Sequence, residues 1–538
     1  MTEHATLVAE AAPTLAAGDV PSRHGRWSAT VFALAVVAGL PLLLWFGRDH
    51  WVFLDDWWLL TRDGLTNAGY LDAHNGHWVT LLRFDYRLNF QLWGLRSYLP
   101  YQVPVVLAHL GAAVLVRQVM RRLGVRGWIA TAAALAFLLF GSGREDIVFG
   151  FQLSMTGSVV CGLAMFLLAD GPRSVTRRDL LSLGIGVVGL MTSSAFPPIL
   201  AGVAVTTLLR RGVRVTAFYM VPLGVIDAGW YLRYGRDNAA PLDLTGDAIR
   251  FFGRMFWVTF DALAQGGVGA VLVGVAALGL GAAVRRAWRS RTWADAALPV
   301  GLAVSWMAFA ALTSLARANE FPQLFNASRY LHVGAALLLP LVAAGAEQLA
   351  RRRVLLGAIA LVPLAIGLPG NLDRLSHTEW VLRGNPQLVF AMAHSPFADV
   401  VPPETRVLHP LTIVPLTAGW LARQADAGRV PEPDGTDPAR DLTAATLLVI
   451  VQETGPGDQG GCPQLAGPLN LRLSSGDEMR FAGTISVRAT DGTHEGWPTS
   501  FISKDGPVVR AQAGPIDVVV QPALGQAARL CPPETAAR

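Results

Sequence analysis

The hydropathy of the chain divides it into a long apolar part and a shorter polar remainder. Apolar runs separated by short polar connections recur up to residue 370, and about 20 apolar residues are enough to cross the ~30 Å hydrocarbon core of a bilayer. The pattern therefore predicts a polytopic α-helical membrane protein. We predict about eleven transmembrane helices, at 27–46, 98–116, 127–142, 151–169, 180–194, 197–209, 215–232, 266–284, 294–314, 330–349 and 354–370.

One break in the pattern leaves two interpretations open. The runs 180–194 and 197–209 meet at Phe196-Pro197-Pro198, so they form either two short spans or one broken hairpin. Two connecting segments, 79–95 and 249–263, are amphipathic enough to form helices that lie along the membrane surface.

The polar remainder predicts a separate domain after the last apolar run. We expect 1–26 to be a disordered tail, 27–370 the transmembrane domain and 371–538 a C-terminal domain. Within the C-terminal domain, 371–440 is expected to be α/β-like and 441–538 a small β-rich sandwich. Turn signals separate its strand-like runs, which are 445–451, 469–473, 479–489, 508–513 and 516–520.

Composition agrees with a membrane protein and excludes a nucleic-acid partner. The 538 residues are 52% hydrophobic and only 15% charged, with a mean hydropathy of +0.39, whereas soluble domains contain about 25% charged residues. The net charge is +5. Nearly all basic residues are arginines, Lys504 being the only lysine, and they recur in short clusters between apolar runs, as in cytoplasmic loops.

These arginine clusters predict the orientation of the chain. By the positive-inside rule they face the cytoplasm together with the N-terminus, and an odd number of spans places residues 371–538 outside the cell. We therefore expect a multi-pass protein of a cytoplasmic membrane, and the arginine-rich, nearly lysine-free composition indicates a bacterium. The clusters contain Arg117, Arg121, Arg122, Arg126, Arg173, Arg177, Arg178, Arg210, Arg211, Arg214, Arg285, Arg286, Arg289, Arg291, Arg351, Arg352 and Arg353.

The segment 51–101, directly after the first span, contains the first candidate chemistry. Asp55 and Asp56 lie beside Trp57 and Trp58 at the predicted outer surface. The simplest interpretation is a solvated loop in which one aspartate caps a short helix. The functional alternatives are a general base for an acceptor hydroxyl, or a pair of carboxylates that holds a divalent cation such as Mg, Mn or Ca.

Other polar residues of the predicted outer loops are weaker candidates. Glu145 and Asp146 form either a polar hairpin or a second acidic site, and Arg144 precedes them. His74 and His77 are three residues apart, which suits a metal on a helix, but the glycine between them favours a turn with a hydrogen-bonding role.

Two arginines and two cysteines complete the candidates. Arg329, followed by Tyr330, opens the tenth predicted span from outside, where it either snorkels to lipid phosphate or clamps a substrate phosphate; Arg317 is a second candidate. Cys462 and Cys531 lie in the C-terminal domain, where a disulfide and two free thiols are both compatible with the sequence.

On these residues the chain resembles the GT-C superfamily of membrane glycosyltransferases, including the mannosyltransferase- and arabinosyltransferase-like bacterial members, which use polyprenyl-phosphate sugar donors. Such enzymes have an acidic pair in the first outer loop, matched by Asp55 and Asp56, and many have a second acid in the next, matched by Glu145 or Asp146. The resemblance covers 27–370; the C-terminal domain resembles no family.

The resemblance implies an inverting glycosyltransferase that acts at the outer membrane face. Asp55 or Asp56 would be catalytic, whereas three residues would meet the donor phosphate: Arg329, Arg144 and Tyr330. The side chains expected to line the substrate site are Trp57, Trp58, His74 and His77. The implied partners are a polyprenyl-phosphate-linked sugar and a glycan, lipid or protein acceptor of the cell envelope.

Two other classes of function fit the same sequence. A transporter or flippase of lipid-linked sugars would explain the helices and the proline break, although transporters place their polar residues at mid-membrane. A non-enzymatic assembly protein that displays a β domain outside the membrane is the second alternative.

Overall fold

The computed structural model describes residues 23–62, 69–238, 240–378, 385–407, 416–454, 462–465, 467–501, 507–523 and 526–531. Of the tail predicted as disordered, 1–22 lies outside these residues, whereas 23–26 belongs to the first helix. The described part of the chain is mostly helical up to residue 376 and rich in β-strands after residue 449.

The helices follow the chain in order and are numbered α1–α18. They are α1 Arg23–Phe46, α2 Asp55–Trp57, α3 Thr80–Trp93, α4 Leu99–Arg122, α5 Gly127–Leu138, α6 Glu145–Val148, α7 Leu153–Leu168, α8 Arg177–Leu190, α9 Phe196–Arg211, α10 Val213–Trp230, α11 Gly246–Ala264, α12 Gly269–Ser290, α13 Ala297–Arg317, α14 Ser328–Arg352, α15 Val354–Ser376, α16 Pro386–Ala393, α17 Ala418–Asp426 and α18 Pro438–Val449. Short 3₁₀ or π turns occupy Trp58–Arg62, Gly141–Gly143, Gly150–Gln152, Tyr231–Gly235, Arg236–Asn238, Trp293–Asp295 and Pro322–Asn326.

Eight helices in the described part of the chain are long and apolar enough to cross a membrane, so the protein is a multi-pass membrane protein. The three other predicted spans are shorter helices: α5 has 12 residues, α8 has 14 and α9 has 16. The segment 180–209 therefore forms two separate helices. The predicted span 127–142 ends early because a turn at Gly141–Gly143 follows α5.

The helix α14 is the centre of the bundle, with every residue from 330 to 347 buried. Small residues allow its neighbours to approach closely. A Cβ atom at Gly345 would collide with the backbone oxygen of Val275 on α12, and one at Gly279 would collide with the backbone oxygen of Leu341 on α14. These glycines set the contact between α12 and α14, as small residues do in membrane helix pairs.

The described part of the C-terminal region contains two antiparallel four-stranded sheets. In spatial order, one is formed by residues 528–531, 478–483, 507–511 and 450–454, and the other by residues 469–473, 516–522, 485–489 and 499–501. Strands of both sheets and α18 share one apolar core, and a disulfide joins Cys462 to Cys531. The strands are β1 Ala73–His74, β2 His77–Trp78, β3 Ile450–Thr454, β4 Leu469–Leu473, β5 Glu478–Gly483, β6 Ile485–Ala489, β7 Thr499–Phe501, β8 Pro507–Ala511, β9 Ile516–Pro522 and β10 Ala528–Cys531.

Two strand predictions in this region are wrong. Most of the predicted strand 445–451 is the end of α18, because Asp437 caps that helix through the amides of Ala439 and Arg440. The predicted strand 479–489 is two strands in different sheets. They separate at Gly483, where φ is 95° and a Cβ atom would collide with the backbone oxygen of Ala527.

A buried ion pair fixes the bundle at the end that carries the arginine clusters. The Arg211 guanidinium, at the end of α9, donates two hydrogen bonds of 2.6 and 2.9 Å to the Asp179 carboxylate in the first turn of α8. Tyr219 on α10 donates to the same carboxylate. The two charged side chains are 1% and 0% exposed, so each relies on the other for compensation of its charge.

We predict that Asp179→Ala lowers the free energy of unfolding by about 3–5 kcal/mol, because it leaves the Arg211 charge buried and unpaired. The control is Asp247→Ala in the first turn of α11, whose partner Arg250 is 67% exposed and whose loss should cost about 0–1 kcal/mol. Unfolding in mixed micelles with increasing SDS measures both. Equal losses in the two variants would contradict the prediction.

Candidate active site

A cavity of about 510 Å³ lies at the end of the bundle where α7, α9 and α14 begin and α13 ends. We call it the Asp55 cavity. It brings together five residues that the sequence analysis identifies as candidates, although they come from segments far apart in the chain: Asp55, His74, His77, Arg329 and Tyr330. Arg317, the second arginine candidate, also lines it.

The two adjacent aspartates have different environments. Asp55 and Asp56 begin the short helix α2, where consecutive side chains point about 100° apart. The Asp55 side chain is 38% exposed and lines the cavity. Asp56 is fully buried and does not line it. Leu54, just before them, has φ 39°, a strained value for a bulky residue that persists only where its surroundings fix it.

A network of hydrogen bonds holds Asp56 in the interior. The Tyr86 and Tyr98 hydroxyls donate to its two carboxyl oxygens, Tyr98 over 3.1 Å, and the Phe53 amide donates over 3.0 Å. Burial raises the pKa of the Asp56 carboxyl to about 8, although these hydrogen bonds act in the opposite direction. Asp56 is therefore mainly protonated at neutral pH and has a structural role in positioning Asp55.

The two histidines are presented by a hairpin of two very short strands. β1 and β2 pair so that His74 lies opposite His77, and the loop between them is Asn75-Gly76 with φ of 49° and 77°. Positive φ at both loop residues is the geometry that Asn-Gly favours in a two-residue hairpin. The turn expected from Gly76 is thus present, and both imidazoles line the cavity.

Each imidazole has a polar partner in the cavity wall. The buried His74 has its Nε2 3.2 Å from Oδ1 of Asp55, and the His77 Nδ1 contacts the Ser194 hydroxyl at the start of α9. Burial lowers the pKa of His77 to about 4, and the positive charge of Arg317 acts in the same direction. His77 is therefore neutral at physiological pH, and His74 is placed to orient the Asp55 carboxylate.

The cations of the cavity lie on α13 and α14. Arg317 ends α13, and Arg329 lies in the first turn of α14 with its Nη1 3.6 Å from Oε2 of Glu145. The Arg329 guanidinium also lies 5.1 Å from the centre of the Tyr330 ring. Both arginines are partly exposed. The cavity thus contains a carboxylate with a histidine neighbour and two cations.

The second acidic position, Asp146, is buried in a polar chain that leads away from the cavity. Its Oδ2 lies 3.2 Å from Nδ1 of His332, although neither carboxyl oxygen has a hydrogen-bond partner among the described residues. The His332 Nε2 lies 3.0 Å from Nδ1 of His109, whose Nε2 lies 3.1 Å from the Leu138 carbonyl. Burial raises the pKa of Asp146 well above its usual range.

This arrangement fixes the tautomers when both rings are neutral. The His109 Nε2–H donates to the Leu138 carbonyl, so its Nδ1 must accept from the His332 Nε2–H. The remaining His332 nitrogen is then an acceptor that faces Asp146. A protonated Asp146 carboxyl is the form that matches this acceptor, which agrees with the direction of its pKa shift.

Besides Asp56 and Asp146, three further residues expected at the site lie elsewhere. Arg144 is buried and donates to the backbone oxygens of Leu375 and Phe46, so it connects α15 to the end of α1. Trp57 is buried against Trp51 and Trp420. Trp58 lies behind His74, with ring centres 6.1 Å apart. None of these three residues lines the Asp55 cavity.

Several polar lining residues were missed from the sequence. Ser193 and Ser194 precede α9, and Gln152 and Ser154 lie at the start of α7. The only sequence signal for the serines was the break before Pro197-Pro198, which was interpreted as an interruption of a span. Such a break places irregular backbone beside a cavity, where its polar groups can be satisfied.

The predicted divalent cation remains a prediction. Within the described ranges, no group of three or more His, Cys, Asp or Glu side chains has the spacing of a metal site. Asp55 and His74 are the two side chains of metal-ligating type that lie in hydrogen-bond contact on the cavity wall.

Comparison with known proteins gives little further information. No protein-family model matches the chain, and no curated protein matches it. Among solved structures, apo ArnT from Cupriavidus metallidurans is similar with a TM-score of 0.41 and 15% identity, over 76% of this chain and 90% of that chain. ArnT from the same organism bound to undecaprenyl phosphate gives 0.42 and 14%, over 79% and 96%. Similarity at this level does not establish a family.

The burial of Asp56 predicts a pH dependence of stability. Its carboxyl titrates near 3.8 in the unfolded chain and near 8 in the folded protein, so between these values the folded protein holds the extra proton. The contribution of this group to the free energy of unfolding is therefore complete below about pH 4, and it is lost as the pH rises towards 8.

We expect Asp56→Asn, which cannot ionise, to flatten the decrease of the thermal unfolding midpoint between pH 5 and pH 8. Burial also raises the pKa of Asp85, to about 7. Asp85 is present in both the wild type and the Asp56→Asn variant. The difference between their slopes of unfolding midpoint against pH therefore reports the titration of Asp56. Thermal unfolding in detergent, followed by tryptophan fluorescence, makes the comparison, and parallel slopes would refute the assignment.

Proposed function

We propose that the protein is an inverting glycosyltransferase that transfers a sugar from a polyprenyl-phosphate donor to a hydroxyl of a cell-envelope acceptor. We place the reaction in the Asp55 cavity, at the outer face of a bacterial cytoplasmic membrane. The single observation that carries the proposal is the presence of Asp55 with His74 and of Arg317 and Arg329 around one cavity at the end of the membrane bundle.

Asp55 is the proposed general base. Its side chain is partly exposed and lines the cavity, and the contact with Nε2 of His74 orients it. It would take the proton from the acceptor hydroxyl as the hydroxyl oxygen attacks the anomeric carbon. The bond between that carbon and the phosphate oxygen then breaks, and its electron pair leaves with the phosphate through an oxocarbenium-like transition state.

Arg329 and Arg317 are the proposed partners of the donor phosphate. Negative charge grows on the phosphate as it departs, and a guanidinium fixed at the cavity wall stabilises that charge without reorganisation. Tyr330 would support Arg329 from the same turn of α14. Glu145, which pairs with Arg329, is the acid that we assign to the second acidic site, whereas Asp146 is assigned a structural role.

One observation favours the transporter alternative. His109 lies ten residues after the start of α4, about 15 Å along that helix, so the chain Asp146–His332–His109 reaches towards mid-membrane. Ionisable groups at such depths often belong to transport pathways. A flippase would move lipid-linked sugar across the membrane of reconstituted vesicles, and this activity would not require Asp55.

We predict that Asp55→Asn lowers the rate of transfer by about 10²–10⁴-fold, the usual contribution of a general base. The matched control is Asp56→Asn, the same change one residue along. It should retain transfer because the side chain does not line the cavity and an asparagine can keep the hydrogen bonds to Tyr86 and Tyr98 that position Asp55. The assay measures radiolabelled sugar transferred from polyprenyl-phosphate donors by the purified protein in detergent. A thermal melt of each variant verifies folding.

Two results would contradict the proposal. If the folded Asp55→Asn variant transferred sugar at the wild-type rate, Asp55 would be excluded as the general base. Absence of transfer by the wild type across a broad panel of donors and acceptors, together with translocation of lipid-linked sugar in vesicles, would favour the transporter.

A further inference from the structure

A second cavity, of about 540 Å³, lies at the opposite end of the bundle and has no role in the proposed transfer. The helix α14 connects the two ends. Arg329 lies in its first turn and Arg351 in its last, 22 residues apart, which corresponds to about 33 Å of helix. The two cavities are therefore separated by roughly the thickness of a hydrocarbon core.

Four arginines from the ends of four helices surround this second cavity, which we call the arginine cavity. They are Arg122 of α4, Arg210 of α9, Arg286 of α12 and Arg351 of α14. Convergence of four cations on one concave surface is electrostatically unfavourable unless anions compensate them. The negative charges that compensate these arginines are the nearby aspartates and glutamates.

The acids near the cavity do not balance its arginines. Asp170 pairs with both Arg122 and Arg210, so one negative charge serves two positive ones. Glu347 likewise serves both Arg351 and Arg126, over 3.2 and 3.4 Å. Arg286 has no ion pair with any residue in the described ranges, and its side chain is exposed.

The lining contains four arginines and two aspartates, Asp170 and Asp295, which leaves two positive charges unbalanced at the cavity. A bound anion is therefore expected to be stabilised there.

The inner wall of the arginine cavity is apolar and made of small residues. Gly279 and Ala283 of α12, Pro299 of α13 and Ala344 of α14 line it. These residues lie on helices long and apolar enough to cross the membrane. A ligand that fills the cavity would therefore meet cations at its rim and hydrocarbon surface at its base, the combination presented by a lipid at the membrane surface.

We infer that the arginine cavity binds a phosphate group, supplied by an anionic phospholipid or by a soluble phosphate compound. Guanidinium groups recognise phosphate oxygens through paired hydrogen bonds, and Arg286 and Arg351 both line the cavity and are exposed. The apolar base favours the lipid source. The site is independent of the Asp55 cavity and of the transfer reaction proposed there.

The test measures binding of short-chain phosphatidylglycerol to the delipidated full-length protein in detergent by native mass spectrometry. We expect binding by the wild type and about thirtyfold weaker binding by Arg286→Gln/Arg351→Gln, because each arginine near a membrane surface contributes roughly fivefold to the affinity for anionic lipid. The matched control is Arg285→Gln/Arg352→Gln, which removes the same charge from neighbouring positions outside the cavity.

Two further measurements distinguish a lipid phosphate from a soluble phosphate compound and test whether the loss of charge causes the weaker binding. Competition by inorganic pyrophosphate would indicate that a soluble phosphate compound also fits, whereas binding without competition supports a lipid site. Arg286→Lys/Arg351→Lys keeps both charges and should restore most of the affinity. No binding by the wild type, equal binding of uncharged diacylglycerol, or equal weakening in the two glutamine variants would overturn the inference.

Discussion

The burial of one carboxyl group, that of Asp56, is the constraint on which the candidate site depends. It joins three segments, because its hydrogen-bond donors are Phe53 of the loop after α1, Tyr86 of α3 and Tyr98 just before α4. The Tyr98 hydroxyl in turn accepts from the Gly150 amide near α7. Since adjacent residues of α2 point in different directions, fixing Asp56 inside turns Asp55 towards the cavity.

The same loop also anchors the C-terminal region. Trp420 of α17 packs against both Trp57 and Phe90, with ring centres 6.3 and 5.5 Å apart, and the Leu95 amide donates to the Arg429 carbonyl over 2.8 Å. The tryptophans that the sequence placed in a sugar site therefore belong to a core shared with the polar domain. The wall behind Asp55 is therefore packed against apolar side chains of the C-terminal region.

Periodicity and composition were enough to predict a polytopic helical membrane part and a β-rich C-terminal region, because length and apolarity are local properties. They were not enough where contacts between residues far apart in the chain determine the direction or role of a side chain. The directions of Asp55 and Asp56 depend on Tyr86 and Tyr98, and the use of Arg144 as a connection depends on the carbonyls of α15. The helix at 438–449 has a local signal, Asp437 followed by Pro438, which typically starts a helix. The apolar run 445–451 is nevertheless predicted as a strand.

The pair formed by Arg329 and Glu145 shows how a cation can be held at the cavity and remain available to an anionic ligand. The Nη1 and Oε2 atoms are 3.6 Å apart, which is too long for a hydrogen bond, so the pair is weaker than a hydrogen-bonded salt bridge. A phosphate that offers two oxygens to the guanidinium forms a stronger, bidentate contact. In the proposed transfer, exchange of Glu145 for the donor phosphate would therefore cost little, and the same carboxylate would pair with Arg329 again after the phosphate leaves.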